Sequence, residues 1–216
     1  MDTVKGRGRG PSQTADRGLP GRLLSAKNGG PRAIRTFPLM PTAVSVQATL
    51  FESLVRCAKP DPDLHAELRA LGYDVDRPRP SYPAAVFIAC QNAVLRHAYG
   101  ARDHKTALRE MGRDLVQRYF DTLVGKVVGT ALKMAGPERA MKRVKLSFSS
   151  VFDPVDIQSE PLAPADWIVR FRGYPFPAEA AAGTCEVALR HAGAASPRVE
   201  VERYDPPENF DLRVRW

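Results

Sequence analysis

Cysteine is scarce in this chain and badly spaced for chemistry. Cys57, Cys90 and Cys185 are an odd number, lie far apart and form no close CxxC pair, which excludes a disulfide framework and a zinc site of ordinary spacing and fits a reducing cytoplasm. Long apolar runs are also lacking. The most apolar helix-like stretch, residues 123–135, is interrupted by Lys126 and Lys133 and falls short of the roughly 20 residues that a spanning helix needs. No continuous apolar core follows the first charges, so no export signal is expected, and the Gly/Pro density of the first residues forbids an amphipathic presequence. His65, His97, His104 and His191 are the only histidines; none has a partner at metal-ligand spacing. No paired acid and base stand at a recognisable spacing, so there is no catalytic residue to name, and no enzyme is expected.

What the chain does have is an uneven distribution of charge. Residues 1–39 hold eight Lys/Arg against Asp2 and Asp16, a surplus of +6 within a total of +8. The basicity therefore belongs to a segment and says little about the surface of a folded domain. With seven glycines, four prolines and few large apolar residues, this segment cannot bury enough surface to offset its ordering entropy and is read as a disordered tail. Met40 stands where the globular pattern begins, so translation starting there is the bland alternative. The Gly-Arg repeat near the start follows no strand and opens no helix, so it has no scaffold for a phosphate loop. It offers flexible positive charge and hence weak, salt-sensitive attraction to nucleic acid or another anionic surface.

Residues 40–216 suit one domain. Val44 to Phe51 reads as a short strand entering a helical turn. Asp61-Pro62 is a helix start, with Leu64, Leu68 and Leu71 at helical spacing until Gly72. After a proline-rich link, Ala84 to Tyr99 places Phe87, Cys90, Val94 and His97 on one face, and Asp103 caps the next helix. From Leu115 apolar doublets recur every four residues as far as Ala131-Leu132, which predicts one long helix continuing to Ala135 at the centre of the core. Glu138 to Val144 then reads as a short helix.

After Lys145 the period becomes two. Phe148 to Ile157 and Trp167 to Phe171 read as a hairpin, Pro177 to His191 as a helix with Ala181, Cys185 and Leu189 on its apolar face, and Arg198 to Tyr204 with Phe210 to Trp216 as a second hairpin. A helical amino-terminal half followed by a strand-strand-helix-strand-strand unit makes the fold class α+β with an antiparallel sheet.

The segments FESLVRC (51–57), ELRALGYDVDRPRPSYP (67–83), YFDTLVGKVVG (119–129) with AGPERAMKRV (135–144), and the ending LRVRW (212–216) resemble a family of unknown function that occurs as many paralogues in myxobacteria. In layout that family is similar to the 4-vinyl-reductase-like and haem-NO-binding sensory domains, in which a helical part leads into an α/β part enclosing a ligand pocket. The resemblance implies a small-molecule sensory or regulatory domain, a homodimer, and an apolar ligand between the long helix and the sheet. The chain departs from the haem-binding members in having no tyrosine-serine-arginine signature, so no cofactor is expected and haem is doubtful.

The candidate ligand residues follow from that layout. Gly125 and Gly129 share a helix face, and each costs roughly 1 kcal/mol relative to alanine in a helix interior. Close approach of another backbone is the favoured explanation, a ligand against the bare backbone the alternative. Tyr119 and Phe120 would line the space so left, with Arg118 presenting a charge at its mouth or simply pairing with Asp114. His97, at the end of its helix, is read first as a packed core residue and second as a ligand contact. Cys57, next to Arg56 and near Lys59, would be reactive only if exposed.

Overall fold

The computed structural model describes residues 44–205 and 208–216; the basic segment 1–39 lies outside them. The chain opens with strand β1 (Ser45–Gln47) and passes directly into helix α1 (Ala48–Val55). Helix α2 (Pro62–Ala70) begins as its sequence dictates, with Pro62 in the first turn and the Asp61 carboxylate accepting the Asp63 N–H at 2.9 Å. It ends at Gly72, whose φ of 99° lies in the left-handed region that glycine tolerates. Strand β2 (Ser81–Pro83) then leads into α3 (Ala84–Tyr99).

Helix α4 (His104–Phe120) is capped by Asp103, which accepts the N–H groups of Lys105 and Thr106. It is the central helix, burying Leu108, Met111, Leu115, Val116, Tyr119 and Phe120. The predicted long helix does not continue. It breaks at Asp121-Thr122, and a separate α5 (Leu123–Ala135) follows. The cause is local: the Thr122 hydroxyl donates to the Tyr119 carbonyl at 2.7 Å and accepts the Gly125 N–H at 3.0 Å, ending one helix and starting the next. Within α5 only Gly125 and Gly129 are buried, so this helix lies on the body and is not its core.

Two short helices follow, α6 (Pro137–Lys142) and α7 (Val144–Ser149), then β3 (Phe152–Asp153). The strand expected from Phe148 thus starts later than its alternation suggests. Phe148 is held in α7 by tertiary packing, its ring 5.4 Å from Phe171 and 5.9 Å from Tyr174. Strand β3 pairs with β1, and β1 with β2, in a small antiparallel sheet that ties three distant segments together.

The carboxyl-terminal part is the expected strand-strand-helix-strand-strand unit: β4 (Asp156–Ala163), β5 (Asp166–Arg172), α8 (Ala178–His191), β6 (Arg198–Asp205) and β7 (Asn209–Arg215). The antiparallel order is β4-β5-β7-β6. Trp167, Val169 and Phe171 lie opposite Val214, Leu212 and Phe210, and all six are buried, as the period of two requires. The alternate positions carry cross-strand ion pairs, including Arg213 with Asp166 at 2.5 Å and Arg172 with Asp211 at 2.7 Å.

Helix α8 packs closely on α4. The buried Glu186 carboxylate of α8 accepts Arg109 at 2.9 Å through one oxygen and Arg113 at 2.6 Å through the other, and Arg109 also reaches the Val199 carbonyl at 2.8 Å. A buried carboxylate is tolerated because both oxygens meet a guanidinium. The fold is therefore α+β, with α4 and α8 as its spine.

Candidate functional site

A cavity of about 100 Å³ lies beside this spine, walled by α3, α4, α5, α7, α8 and the turn before β3. The apolar doublets of α4 supply Leu115-Val116 and Tyr119-Phe120, α5 closes it with Val128 and Leu132, and Phe148, Phe152, Tyr174 and Phe176 form an aromatic wall. Those four rings contact one another at centroid distances such as 4.5 Å for Phe152–Phe176 and 4.9 Å for Tyr174–Phe176.

Ser147 and Thr184 also border the cavity, but two of its lining residues carry buried polar atoms without a partner. Gln91 of α3 is 3% exposed and its Oε1 has no hydrogen-bond partner; the Tyr119 hydroxyl, also buried, lacks one of proper geometry. The Ser150 side chain, which itself donates to the Ser147 carbonyl at 2.7 Å, is near enough to favour the Tyr119 phenolate slightly, but burial outweighs it and pushes the phenol up from its usual value. An unsatisfied buried polar group costs about 1–3 kcal/mol. Both of these groups lie beside the one cavity.

The predicted candidates divide. Tyr119 and Phe120 line the cavity. Gly125 and Gly129 do not: a Cβ on Gly125 would stand 1.7 Å from the Tyr119 carbonyl oxygen, and one on Gly129 2.8 Å from His191 Nε2 and 3.3 Å from the Phe120 ring. These glycines let α5 fold back onto the end of α4 and onto His191, whose ring stacks on Phe120 at 4.3 Å. They shape the cavity indirectly by setting where Val128 and Leu132 fall.

Arg118 is exposed and does not line the cavity, and Asp114 accepts the Tyr99 hydroxyl at 2.7 Å. His97 is neither a core residue nor a cavity residue. It sits between two carboxylates, Nδ1 3.1 Å from Asp61 and Nε2 3.1 Å from Glu67, because α2 runs alongside the end of α3. Sequence reasoning missed Gln91, whose signal was a polar residue four positions after Phe87 on an apolar stripe. It also missed Val128 and Leu132, because their helix was placed wrongly.

The thiols are quiet. Burial pushes Cys57, Cys90 and Cys185 each up to about 12; for Cys57 the Asp114 charge adds to the effect. Among the described residues, no three of His, Cys, Asp and Glu gather closely enough to hold a metal ion, and no helix is long and apolar enough to cross a membrane.

Known structures share this architecture. A chain solved in work on modulating heme redox potential through protein-induced porphyrin distortion superposes with a TM-score of 0.58 at 11% identity, over 79% of this chain and 99% of that one. An Fe(II) unliganded H-NOX protein mutant from K. algicida gives 0.55 at 8% identity over 78% and 95%. An H-NOX protein from S. oneidensis in the Fe(II)NO ligation state gives 0.54 at 14% identity over 78% and 98%. At such identities the likeness is one of fold alone. No curated protein matches the chain.

The residues present do not fit a haem. Haem iron takes His, Cys, Met or Tyr as its axial ligand, and the cavity is lined by no His, Cys or Met and by no Arg or Lys to meet the propionates. Its two tyrosines, Tyr119 and Tyr174, have no cationic side chain beside them in the lining, and about 100 Å³ is well below the roughly 300–1,000 Å³ of cofactor-sized sites. The sequence profile that does match, over residues 44–216, is described as "Protein of unknown function (DUF2378)", and the chain belongs to that family.

Proposed function

We propose that residues 44–216 are a non-enzymatic sensory domain whose cavity takes a small, mainly apolar molecule directly, without haem. The carrying observation is the pairing of an aromatic-lined, half-open pocket with the unpartnered Gln91 amide oxygen. An amide oxygen requires a donor, so the ligand carries a hydroxyl or N–H group. Size narrows the class further. About 100 Å³ is well below the roughly 300–1,000 Å³ of drug-sized sites and close to the roughly 150 Å³ of an apolar cavity that holds benzene. A phenol-sized alcohol or amine is the expected class. Filling the cavity would add contacts to Val128 and Leu132 and hold α5 more firmly on the body, which gives the domain a conformational output.

The test is a thermal-shift comparison of phenol and toluene, which share a shape but not the donor. Wild-type protein is expected to be stabilised more by phenol. Gln91→Met is expected to remove that preference while leaving the unliganded protein as stable or more so, since an orphaned polar group is gone. Equal shifts for the two compounds in wild-type protein, or none for either, would overturn the reading. Screening native material by mass spectrometry would identify the physiological molecule. The alternative, attraction to nucleic acid or an anionic surface through the basic segment, rests on residues outside the described ones.

A further inference from the structure

Helix α5 has a wider apolar stripe than the body can cover. At about 100° per residue, Val128 and Leu132 face the cavity, whereas Leu123, Val127 and Met134 fall within about 40° of one another on the opposite side. Those three are 85%, 72% and 81% exposed, and Leu146 of α7, across a shallow groove from α5, is 68% exposed. Large apolar side chains are rarely left out in such a row without a reason.

The charges around this row have one sign. Lys126, Lys133, Arg139, Lys142, Arg143 and Lys145 are all exposed, against Asp121 and Glu138 within residues 121–150. Glu138 pairs with Lys142 at 2.7 Å; among the described residues the other five cations have no carboxylate within pairing distance. Lysines flank one edge of the apolar row, and Arg139 and Arg143 line the groove behind it.

We propose that the outer face of α5, with Leu146, docks on an anionic lipid surface. An apolar row bordered by unpaired cations matches the acyl boundary and the charged headgroups of such a bilayer, as in helices that lie in the interface plane. A second copy of the chain is disfavoured here, because a twofold contact through one patch sets the same cations against each other. The basic segment 1–39, with its own surplus of +6, is disfavoured as a cover for the same reason. Docking in this way places the α5 wall of the cavity against the bilayer, where apolar molecules concentrate, although the docking itself does not depend on a ligand.

Flotation of the full chain with phosphatidylcholine vesicles, with and without phosphatidylglycerol, tests this. Wild-type protein is expected to float with the anionic vesicles and not with the neutral ones. Leu123→Ser/Val127→Ser/Met134→Ser keeps every charge and the amino-terminal segment; it is expected to reduce partitioning by about tenfold or more while leaving the Tm unchanged, since only exposed apolar area is removed. Lys126→Gln/Lys133→Gln is expected to reduce it several-fold. Absence of flotation by the wild type, or equal flotation of the triple variant, would overturn the proposal, the latter assigning binding to residues 1–39. So would a sedimenting wild-type dimer that the triple variant converts to monomer, because the face would then belong to a second copy.

Discussion

Gly183 of α8 lies directly against the Arg109 carbonyl of α4, so closely that a Cβ would stand 2.1 Å from the oxygen; Gly112 of α4 meets the Ala180 carbonyl of α8 at the same 2.1 Å. The two helices of the spine are thus interlocked by reciprocal glycines, and neither contact can be relieved by turning a side chain. Gly112→Ala and Gly183→Ala are each expected to destabilise the protein by about 1–3 kcal/mol, the usual cost of overpacking, even though alanine favours the helix by about 1 kcal/mol. Urea denaturation measures this directly. A gain in stability at either position would mean that the crossing is looser than the structure has it.

Gly125 and Gly129 differ in what they touch, and therefore in what a methyl group should cost. At Gly125 the obstacle is backbone, the Tyr119 carbonyl oxygen at 1.7 Å; at Gly129 the nearest atom belongs to the His191 ring at 2.8 Å, which can shift. Gly125→Ala is expected to lose about 1–3 kcal/mol and Gly129→Ala distinctly less. Denaturation midpoints in the reverse order would contradict the assignment of Gly125 as the corner on which α5 turns.

His97 should show itself in acid. Its hydrogen bond is the main influence holding Glu67 below the ordinary 4.5, and it helps hold Asp61 below 3.8, after the Asp63 N–H. Groups depressed in the folded state contribute stability above their unfolded values, and that contribution is lost as pH falls through the folded ones. His97→Ala is expected to have a lower Tm than wild type at pH 6, with the deficit fading as the pH drops below these carboxylate values. A deficit unchanged in acid would mean that His97 acts through packing alone.

The three thiols offer a simple check on burial. With each pushed up to about 12, the thiolate fraction at pH 8 is very small and access is restricted. Ellman's reagent at pH 8 is expected to react slowly with the native protein and to titrate three thiols quickly in guanidinium. Rapid native reaction of one thiol, with Cys57 the least buried of the three, would show that the α1 end opens readily.

Much of the architecture was legible. Asp61-Pro62 and Asp103 announced α2 and α4, and the alternation from Trp167 to Phe171 announced β5, although Ile168 on the alternate face is buried as well. Tyr119 and Phe120 entered only as the lining of the ligand alternative beside Gly125 and Gly129; they border the cavity from α4, while the glycines do not. Thr122 was the local signal that went unread: its hydroxyl divides the predicted long helix, and the close backbone expected against Gly125 is the Tyr119 carbonyl at the end of α4, while Gly129 packs on His191 and Phe120. His97 was placed on the apolar face by spacing, and only the approach of α2 showed that the end of that face meets Asp61 and Glu67.

Capping and periodicity act within about four residues, so the chain's own order of residues determined where most helices and strands begin, which faces are apolar, and that helices precede an antiparallel sheet. The cavity is of another kind. Its lining runs from Leu50 to Ala188, and the small sheet joins Ser45, Pro83 and Asp153, partners whose meeting no local rule encodes. Tertiary structure alone decided that Gln91 is left without a partner, that α5 turns back with Leu123, Val127 and Met134 outward, and that Gly112 and Gly183 interlock. Each of these depends on how close two separate backbones come, and that distance follows from the packing of the whole core.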